Sequence, residues 1–400
     1  MSTPQNTAYD IRLADSSDPS VEILGAYAFS DTPSKPPTEE QTELRRRLRQ
    51  DDKTFVSCVD DQPVAKVAIV PMTMNVRGVV MPMGGISGVA SMPAGRRSGH
   101  VRELMNHSIK VMREDGQRVS ALYPFRESFY ERFGYTGWPA ARWVEVDPAN
   151  LGAILRVPKT GTVRQRELTE AFDDWTAFVD ERQASIHGFS IYGPARREEW
   201  REPGQYWATT VHEGDRITGA MIYKITNDLS LMLVMSMLWS TVDAQYQLID
   251  FIARHVDHIR KARICVPPGD QPELWLTDAK MTVLSDVPES WNGPMARIVS
   301  LDGIGGIAVG LGEIAIQVTD PQAPWNQGVW TLRGVDGTLH VEKGGDPQVE
   351  LSIQALSALV FTGIDPALLR FRGWGDPDAA TMETLRNLFP PVEPFIFEMF

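Results

Sequence analysis

Residues 89 to 105 read VASMPAGRRSGHVRELM, and no other passage constrains the fold as much. A short apolar run meets a Pro-Ala-Gly break, then two arginines and a glycine, and then a helical repeat begins. Val101, Leu104, Met105, Ser108, Ile109 and Met112 fall at i, i+3, i+4, i+7, i+8 and i+11, which is one face of an α-helix, and Gly116 is placed to end it. The predicted unit is a strand that hands over to an amphipathic helix through a basic loop. At such a junction the first N–H groups of the helix are unpaired and carry partial positive charge, so they attract anions, phosphates above all. Gly99 would let the backbone approach such a ligand without a Cβ in the way, and Arg96 and Arg97 would add guanidinium groups suited to phosphate oxygens. The loop has neither the GxxxxGK[ST] spacing of a P-loop nor the GxGxxG of a dinucleotide fold.

The same grammar recurs downstream. Residues 212 to 226 predict a hairpin, LSLMLVMSMLW (229 to 239) a buried strand, and Leu248, Ile249, Ile252, His255, Val256 and Ile259 the face of a second helix. The second junction, LWSTVDAQYQ, has no glycine and no arginine pair, and places Asp243 at the helix start, so it cannot hold an anion in the same way. Upstream, TEEQTELRRRLRQ predicts a helix near 38 to 50 with a solvated basic face, and KTFVSCVD and QPVAKVAIVPMTMNV predict strands. A Pro-, Gly- and Thr-rich linker near 147 to 165 and a break near 287 to 300 divide the chain into segments 1–150, 151–290 and 291–400. The third segment predicts short alternating strands (EIAIQVTD, GVWTLRG, LHVEK, QVELSIQ) and two helices near 352 to 362 and 377 to 388, an α+β module. The chain finishes PPVEPFIFEMF. Its prolines forbid a helix, and a tail this apolar is expected to be pinned in a groove, carrying its α-carboxylate with it.

Composition closes off several function classes. With 400 residues and a formal charge of −13, the chain is long enough for two or three cores and too acidic for a nucleic-acid binder. An acidic surface instead steers cations such as polyamines, aminoglycosides or lysine-bearing peptides. Cys58 and Cys265 stand alone, without a CxxC, and give no disulfide framework or zinc ribbon. His255 and His258 lack a third ligand nearby, so no metal is expected. The first residues lack a basic and an apolar signal region, and no apolar stretch reaches the roughly 20 residues that span a bilayer, so a cytoplasmic protein without a membrane span is expected.

Two motifs in order carry a resemblance. Arg-x-x-Gly-x-Val at 96 to 101 resembles the pyrophosphate loop of the GNAT acetyltransferases, and YPFRESFYERFGYTG at 123 to 137 resembles their segment with a tyrosine beside the departing CoA sulfur. One such unit, a second without the cofactor loop, and an α+β module ending in a pinned phenylalanine together resemble the Eis (enhanced intracellular survival) family. The resemblance implies an α/β (α+β) fold of two tandem GNAT-like domains and a sterol-carrier-protein-like domain. It implies acetyl-CoA as co-substrate, acetyl transfer to an amine or a lysine, and a hexameric homo-oligomer.

Carried over residue by residue, it implies that the Val89 and Ser91 backbone holds the pantetheine arm and that Arg96, Arg97 and Gly99 hold the pyrophosphate. Tyr130 is then the general acid and the Phe400 carboxylate the general base. From the residues alone, Tyr130 could equally be a packing aromatic, and Asp31, aligned with an acid of the amine pocket, could equally be a cap or loop acid. In the aminoglycoside-acetylating mycobacterial relative an acidic residue precedes the terminal phenylalanine. Here Met399 takes that place, and Glu398, a candidate substrate contact, is directed the other way by an extended chain. Tyr123 and Phe125 imply a tighter, more aromatic acceptor pocket. Two other readings stay open: a carrier of lipid or another apolar ligand with a degenerate acetyltransferase unit, and an enzyme acting on a protein lysine. RFRGWG at 370 to 375 has no assignment.

Overall fold

The computed structural model describes residues 9–33, 35–267, 269–284 and 293–400. The chain opens with β1 (Asp10–Ala14), the helices α1 (Pro19–Phe29) and α2 (Glu39–Leu48), β2 (Lys53–Val59), β3 (Gln62–Val76) and β4 (Val79–Ser91). Then come α3 (His100–Glu114), β5 (Val119–Leu122), α4 (Glu127–Glu131), β6 (Thr136–Gly137) and β7 (Arg142–Val146). The middle of the chain supplies β8 (Thr162–Glu167), α5 (Leu168–Gln183), β9 (Ser190–Tyr192), α6 (Pro194–Arg197), β10 (Trp207–Glu213), β11 (Arg216–Ile225) and β12 (Leu231–Trp239). After these lie α7 (Val242–Ala253), β13 (Lys261–Val266), β14 (Met281–Leu284) and β15 (Met295–Ile298). The last stretch holds β16 (Gly312–Thr319), β17 (Gly328–Val335), β18 (Thr338–Lys343), β19 (Val349–Ser352), α8 (Ile353–Thr362), α9 (Leu369–Arg372) and α10 (Ala379–Leu388).

The duplication read in the sequence is present as two sheets of like design. The first runs β1-β2-β3-β4-β5-β15-β6, and the second β14-β7-β13-β12-β11-β10-β8. Each contains one parallel pair joined by a helical crossover, β4 to β5 through α3 and β12 to β13 through α7, as a parallel pair requires. In α3 the expected face is inward: Leu104, Met105, Ser108, Ile109 and Met112 are buried. The third sheet, β18-β17-β16-β19, is backed by α8 and α10.

The three sheets interleave the sequence segments. Strand β7, within the first segment, lies in the second sheet, and β9 of the middle segment pairs with β3 of the first. Strand β15, within the third segment, closes the first sheet between β5 and β6. The junction at 290/291 falls among residues outside those described. The linker near 147 to 165 is partly ordered structure, a 3-10 run from Pro148 to Arg156 and the start of β8. One apolar core fuses the first sheet with the third module, since Met72, Met74 and Met83 pack in one cluster with Ile316, Leu356 and Phe361.

The second helix departs from expectation. It stops at Ala253, and Val256 is exposed. The cause is local: the His255 ring makes a 2.8 Å hydrogen bond to the Phe251 carbonyl, which a continuing helix would give to the His255 N–H. That N–H donates instead to Ile252 O, and the chain turns, returning Ile259 to the core. No helix among the described residues is long and apolar enough to cross a membrane.

Candidate active site

The loop after β4 forms a cradle. Pro93–Gly95 make a short 3-10 turn, Arg97 takes φ 64° and Gly99 takes φ 89°, which delivers the chain into α3 without a side-chain cap. No side-chain cap therefore accepts from the first N–H groups of the helix. Neither Arg96 nor Arg97 forms an ion pair among the described residues, and the Arg96 guanidinium lies 6.0 Å from the Tyr27 ring centre. Glycine at 99 is required twice over, by its positive φ and because a Cβ there would overlap the Tyr9 hydroxyl. Tyr9, which sequence reasoning did not single out, braces the loop by donating to Ser98 O at 2.8 Å. An uncapped helix end, a bare glycine and two uncommitted guanidiniums fit a pyrophosphate group.

The corresponding end of α7 is closed. Thr241 Oγ1 accepts from Ala244 N, and Asp243 Oδ1 accepts from Thr160 N at 2.8 Å. A negative side chain stands where the first unit offers open N–H groups.

Strand β4 then provides an edge. Its parallel ladder with β5 runs from Met83/Val119 to Ile86/Leu122 and ends there, while its ladder with β3 continues to Ser91. From Ser87 to Ser91, the stretch that contains Val89, one backbone edge of β4 has no strand partner among the described residues. Such an edge can hydrogen-bond an extended ligand as a further strand would.

Tyr130 sits on α4, only 3% exposed, among Phe125, Phe129 and Tyr135 with ring centres 5.0 to 6.4 Å away. Burial raises its phenol above the ordinary tyrosine value, so the group holds its proton. The Tyr130 hydroxyl makes no hydrogen bond to the described residues. Tyr135, the other tyrosine of the motif, is committed: its hydroxyl lies 2.8 Å from Ser120 Oγ, which donates to Gly84 O.

The carboxyl tail is pinned along its length. Phe395 N donates to His187 O at 2.9 Å, and Phe397 stacks on Phe189 with ring centres 4.5 Å apart. Tyr192 grips the chain end with two groups, its backbone N–H donating to Glu398 Oε2 and its hydroxyl to Met399 O. The Phe400 ring lies over Gly85, where a Cβ would come within 2.8 Å of Cδ2, and edge-on to Tyr123 at 5.9 Å. The chain terminus is thus seated at the last rungs of the β4–β5 ladder, where the open edge begins.

Next to it is a cavity of about 50 Å³, lined by Tyr123, Trp138, Trp143, Met235, Cys265 and Met399 among others, with no acidic side chain among the described residues. Glu398 turns away from it and is buried against the Tyr192 backbone near Arg197 and Trp200, where burial pushes its carboxyl up to about 8. Asp31 lies exposed on the loop after α1 and is not among the lining residues. Phe125 is 65% exposed and flanks Tyr130 rather than the cavity.

Comparison with known families decides the class. Residues 12–137 match an acetyltransferase (GNAT) domain, residues 191–298 a second acetyltransferase (GNAT) domain family, and residues 307–397 the sterol carrier protein domain. The chain is a GNAT acetyltransferase. No curated protein matches it. The acetyltransferase shares its whole fold with several solved structures. One is a GCN5-related N-acetyltransferase from Anabaena variabilis, at TM-score 0.83 and 20% identity over 98% of this chain and 100% of that one. A second is a probable N-acyltransferase from Enterococcus faecalis, at TM-score 0.84 and 21% identity over the same shares. Eis1 from Mycobacterium abscessus matches at TM-score 0.79 and 16% identity, again over 98% of this chain and 100% of that one.

The structure brings together most of the residues singled out in the sequence. The acetyltransferase places Arg96, Arg97 and Gly99 in one loop, Val89 and Ser91 on the open edge it leads from, and Tyr123 against Phe400. Asp31 and Glu398 stand apart from the cavity. Sequence reasoning missed Trp138, Trp143, Met235 and Cys265, which reach the cavity from the second sheet and the segment leading into it, and Tyr192, which holds the tail. No local signal marks them, because each belongs to a strand or connector whose role depends on how the two sheets are set together. His255 and His258 stack at 6.0 Å, and no group of three potential ligands could hold a metal among the described residues.

Proposed function

We propose that this acetyltransferase is an Eis-type enzyme that moves the acetyl group of acetyl-CoA to the nitrogen of an amine with an apolar body. The uncapped end of α3 with Arg96, Arg97 and Gly99 binds the pyrophosphate, and the free edge at Val89 and Ser91 binds the pantetheine arm. Acetyl-CoA supplies an activated acyl carbon on a thioester. The Phe400 carboxylate accepts a proton from the attacking nitrogen, and Tyr130 Oη gives its proton to the sulfur as the C–S bond breaks, so no covalent acyl-enzyme is needed. The observation that supports this reading is the seat of the Phe400 ring on Gly85, beside the point where β4 leaves β5. Tyr130 is the better proton donor of the motif because Tyr135 is already bonded to Ser120.

The acceptor side is aromatic and, among the described residues, lined by no acid, which favours an arylamine or another amine with one apolar face over a polycationic aminoglycoside. Thiol release from acetyl-CoA by untagged protein, with a panel of arylamines, polyamines, aminoglycosides and lysine peptides, tests the assignment. Amine-dependent release that Tyr130→Phe lowers is expected, and Tyr130→Phe turning over like wild type removes Tyr130 from the mechanism. A hexamer is the assembly the Eis likeness implies, to be read by native mass spectrometry.

A further inference from the structure

Helix α4, which carries Tyr130, has five residues, no side-chain cap at its N-terminus, and a glycine with φ 86° three residues beyond its end. A helix this short has no stability of its own, so its orientation is set by what it touches. On one side lie the rings of Phe125, Phe129 and Tyr130. On the other, three successive anchor points are all supplied from residues 297 to 374.

The first anchor is the Glu131 side chain. Its Oε1 accepts from the Trp374 indole N–H at 3.0 Å and from Arg372 Nη2 at 3.3 Å. The second is the Glu131 carbonyl, which accepts from Gln354 Nε2 at 2.8 Å. The third is the Phe133 carbonyl, which accepts from Arg297, a fully buried guanidinium whose other arm bonds Asp320 at 2.7 Å. Gly134 follows so closely that a Cβ would meet Arg297 and Ile353 at 2.8 Å.

RFRGWG, unexplained from sequence, is the device that delivers the first anchor. Arg372 ends α9, its guanidinium lies 4.2 Å from the Trp374 ring centre, and Trp374 is buried. The Trp374 backbone is fixed at both ends, its N–H donating to Leu369 O at 3.0 Å and its carbonyl accepting from Ser352 N at 2.8 Å. A buried indole N–H needs an acceptor, and Glu131 is the one it has.

We propose that the sterol-carrier-type module, besides supplying the tail, sets the position of the proton donor: Glu131, Trp374 and Gln354 are positioning residues that act through Tyr130. This rests on the reading of Tyr130 as the general acid. Removing an anchor lets α4 tilt, and a displacement of about 1 Å at a reacting atom costs on the order of 100-fold in rate.

The test uses the full-length enzyme and saturating amine. Glu131→Ala and Trp374→Phe are expected to lower kcat by roughly 10-fold or more with the KM for acetyl-CoA unchanged, and Glu131→Gln, which keeps an acceptor oxygen for Trp374, is expected to restore most of it. Each change is then repeated in a Tyr130→Phe background, where it should cost less than about 2-fold, because the residue it positions no longer donates a proton. If Glu131→Ala melts early, Gln354→Ala and Trp374→Phe carry the same comparison. Full multiplication of the losses in the Tyr130→Phe background, or unchanged kcat in the single variants, overturns the proposal while leaving Tyr130 as the acid. Wild-type turnover by Tyr130→Phe alone overturns the acid reading and this inference with it.

Discussion

Gly85→Ala isolates the seat of the terminal residue. The added Cβ would lie 2.8 and 2.9 Å from Phe400 Cδ2 and Cε2, and 3.1 Å from Met72 Sδ. Carbon contacts are favourable at about 3.5–4.0 Å, so the ring must retreat by roughly 0.7 Å or more. Residues 398 and 399 are held by Tyr192 and cannot follow, so the displacement falls on Phe400 and is passed to its carboxylate. A base moved by this much is expected to cost about 10- to 100-fold in kcat. Acetyl-CoA affinity should be kept, because Gly85 lies within the paired ladder and the open edge begins at Ser87. The assay is thiol release at saturating amine beside calorimetric titration of acetyl-CoA. A second arm repeats the change with Phe400→Ala, where the clash with the ring is gone, only the flexible Met72 side chain has to give, and Gly85→Ala should add little. Wild-type kcat in Gly85→Ala, or an equal loss in the Phe400→Ala background, would refute the idea that the ring's seat places the base.

Two further predictions concern the tail and the cradle. Burial lifts the Glu398 carboxyl from about 4.5 to about 8, so the fold favours the protonated form; its contribution is complete below about pH 4.5 and is lost as pH rises through 8. Melting temperature should therefore fall between about pH 4.5 and 8 and level off above it in wild type, and fall less steeply in Glu398→Gln, whose amide oxygen still accepts from Tyr192 N; parallel profiles would exclude Glu398 as the titrating group. Gly99→Ala, strained at φ 89° and blocked by Tyr9, is expected to weaken acetyl-CoA by about 10-fold or more with a smaller effect on kcat at saturation, and unchanged affinity would argue against the cradle.

Where function rests on local chain geometry, the sequence was readable. The loop at 93–99 needs only a proline turn, a glycine with positive φ and the periodicity of α3, and all three are local. The tail was readable because eleven residues with three prolines and mostly apolar side chains admit few fates. What could not be read depends on pairs far apart. Nothing near Met295 shows that β15 leaves its segment to sit between β5 and β6, and nothing in RFRGWG names Glu131, some 240 residues earlier, as the acceptor of Trp374. The second helix was overestimated for the opposite reason: its apolar spacing runs on to Ile259, but one histidine ring takes the carbonyl that the next turn needs.

The second GNAT unit poses the remaining question, since it keeps the sheet, the crossover helix and a large core while its helix end is stopped by Thr241, Asp243 and Thr160. Its contacts answer it. Tyr192 holds residues 398 and 399, Phe189 and Trp175 take the rings of the tail, and Met235 and Cys265 wall the cavity that Tyr123 and Met399 close from the other side. These are demands on position and shape rather than on charge. An open, positive helix end would serve none of them, and closing it satisfies backbone N–H groups that would otherwise wait for an anion. Divergence of the two copies at this one junction therefore leaves the helix end of the first unit open, while residues of the second unit, Tyr192 on β9 with Phe189 and Trp175, hold the end of the chain.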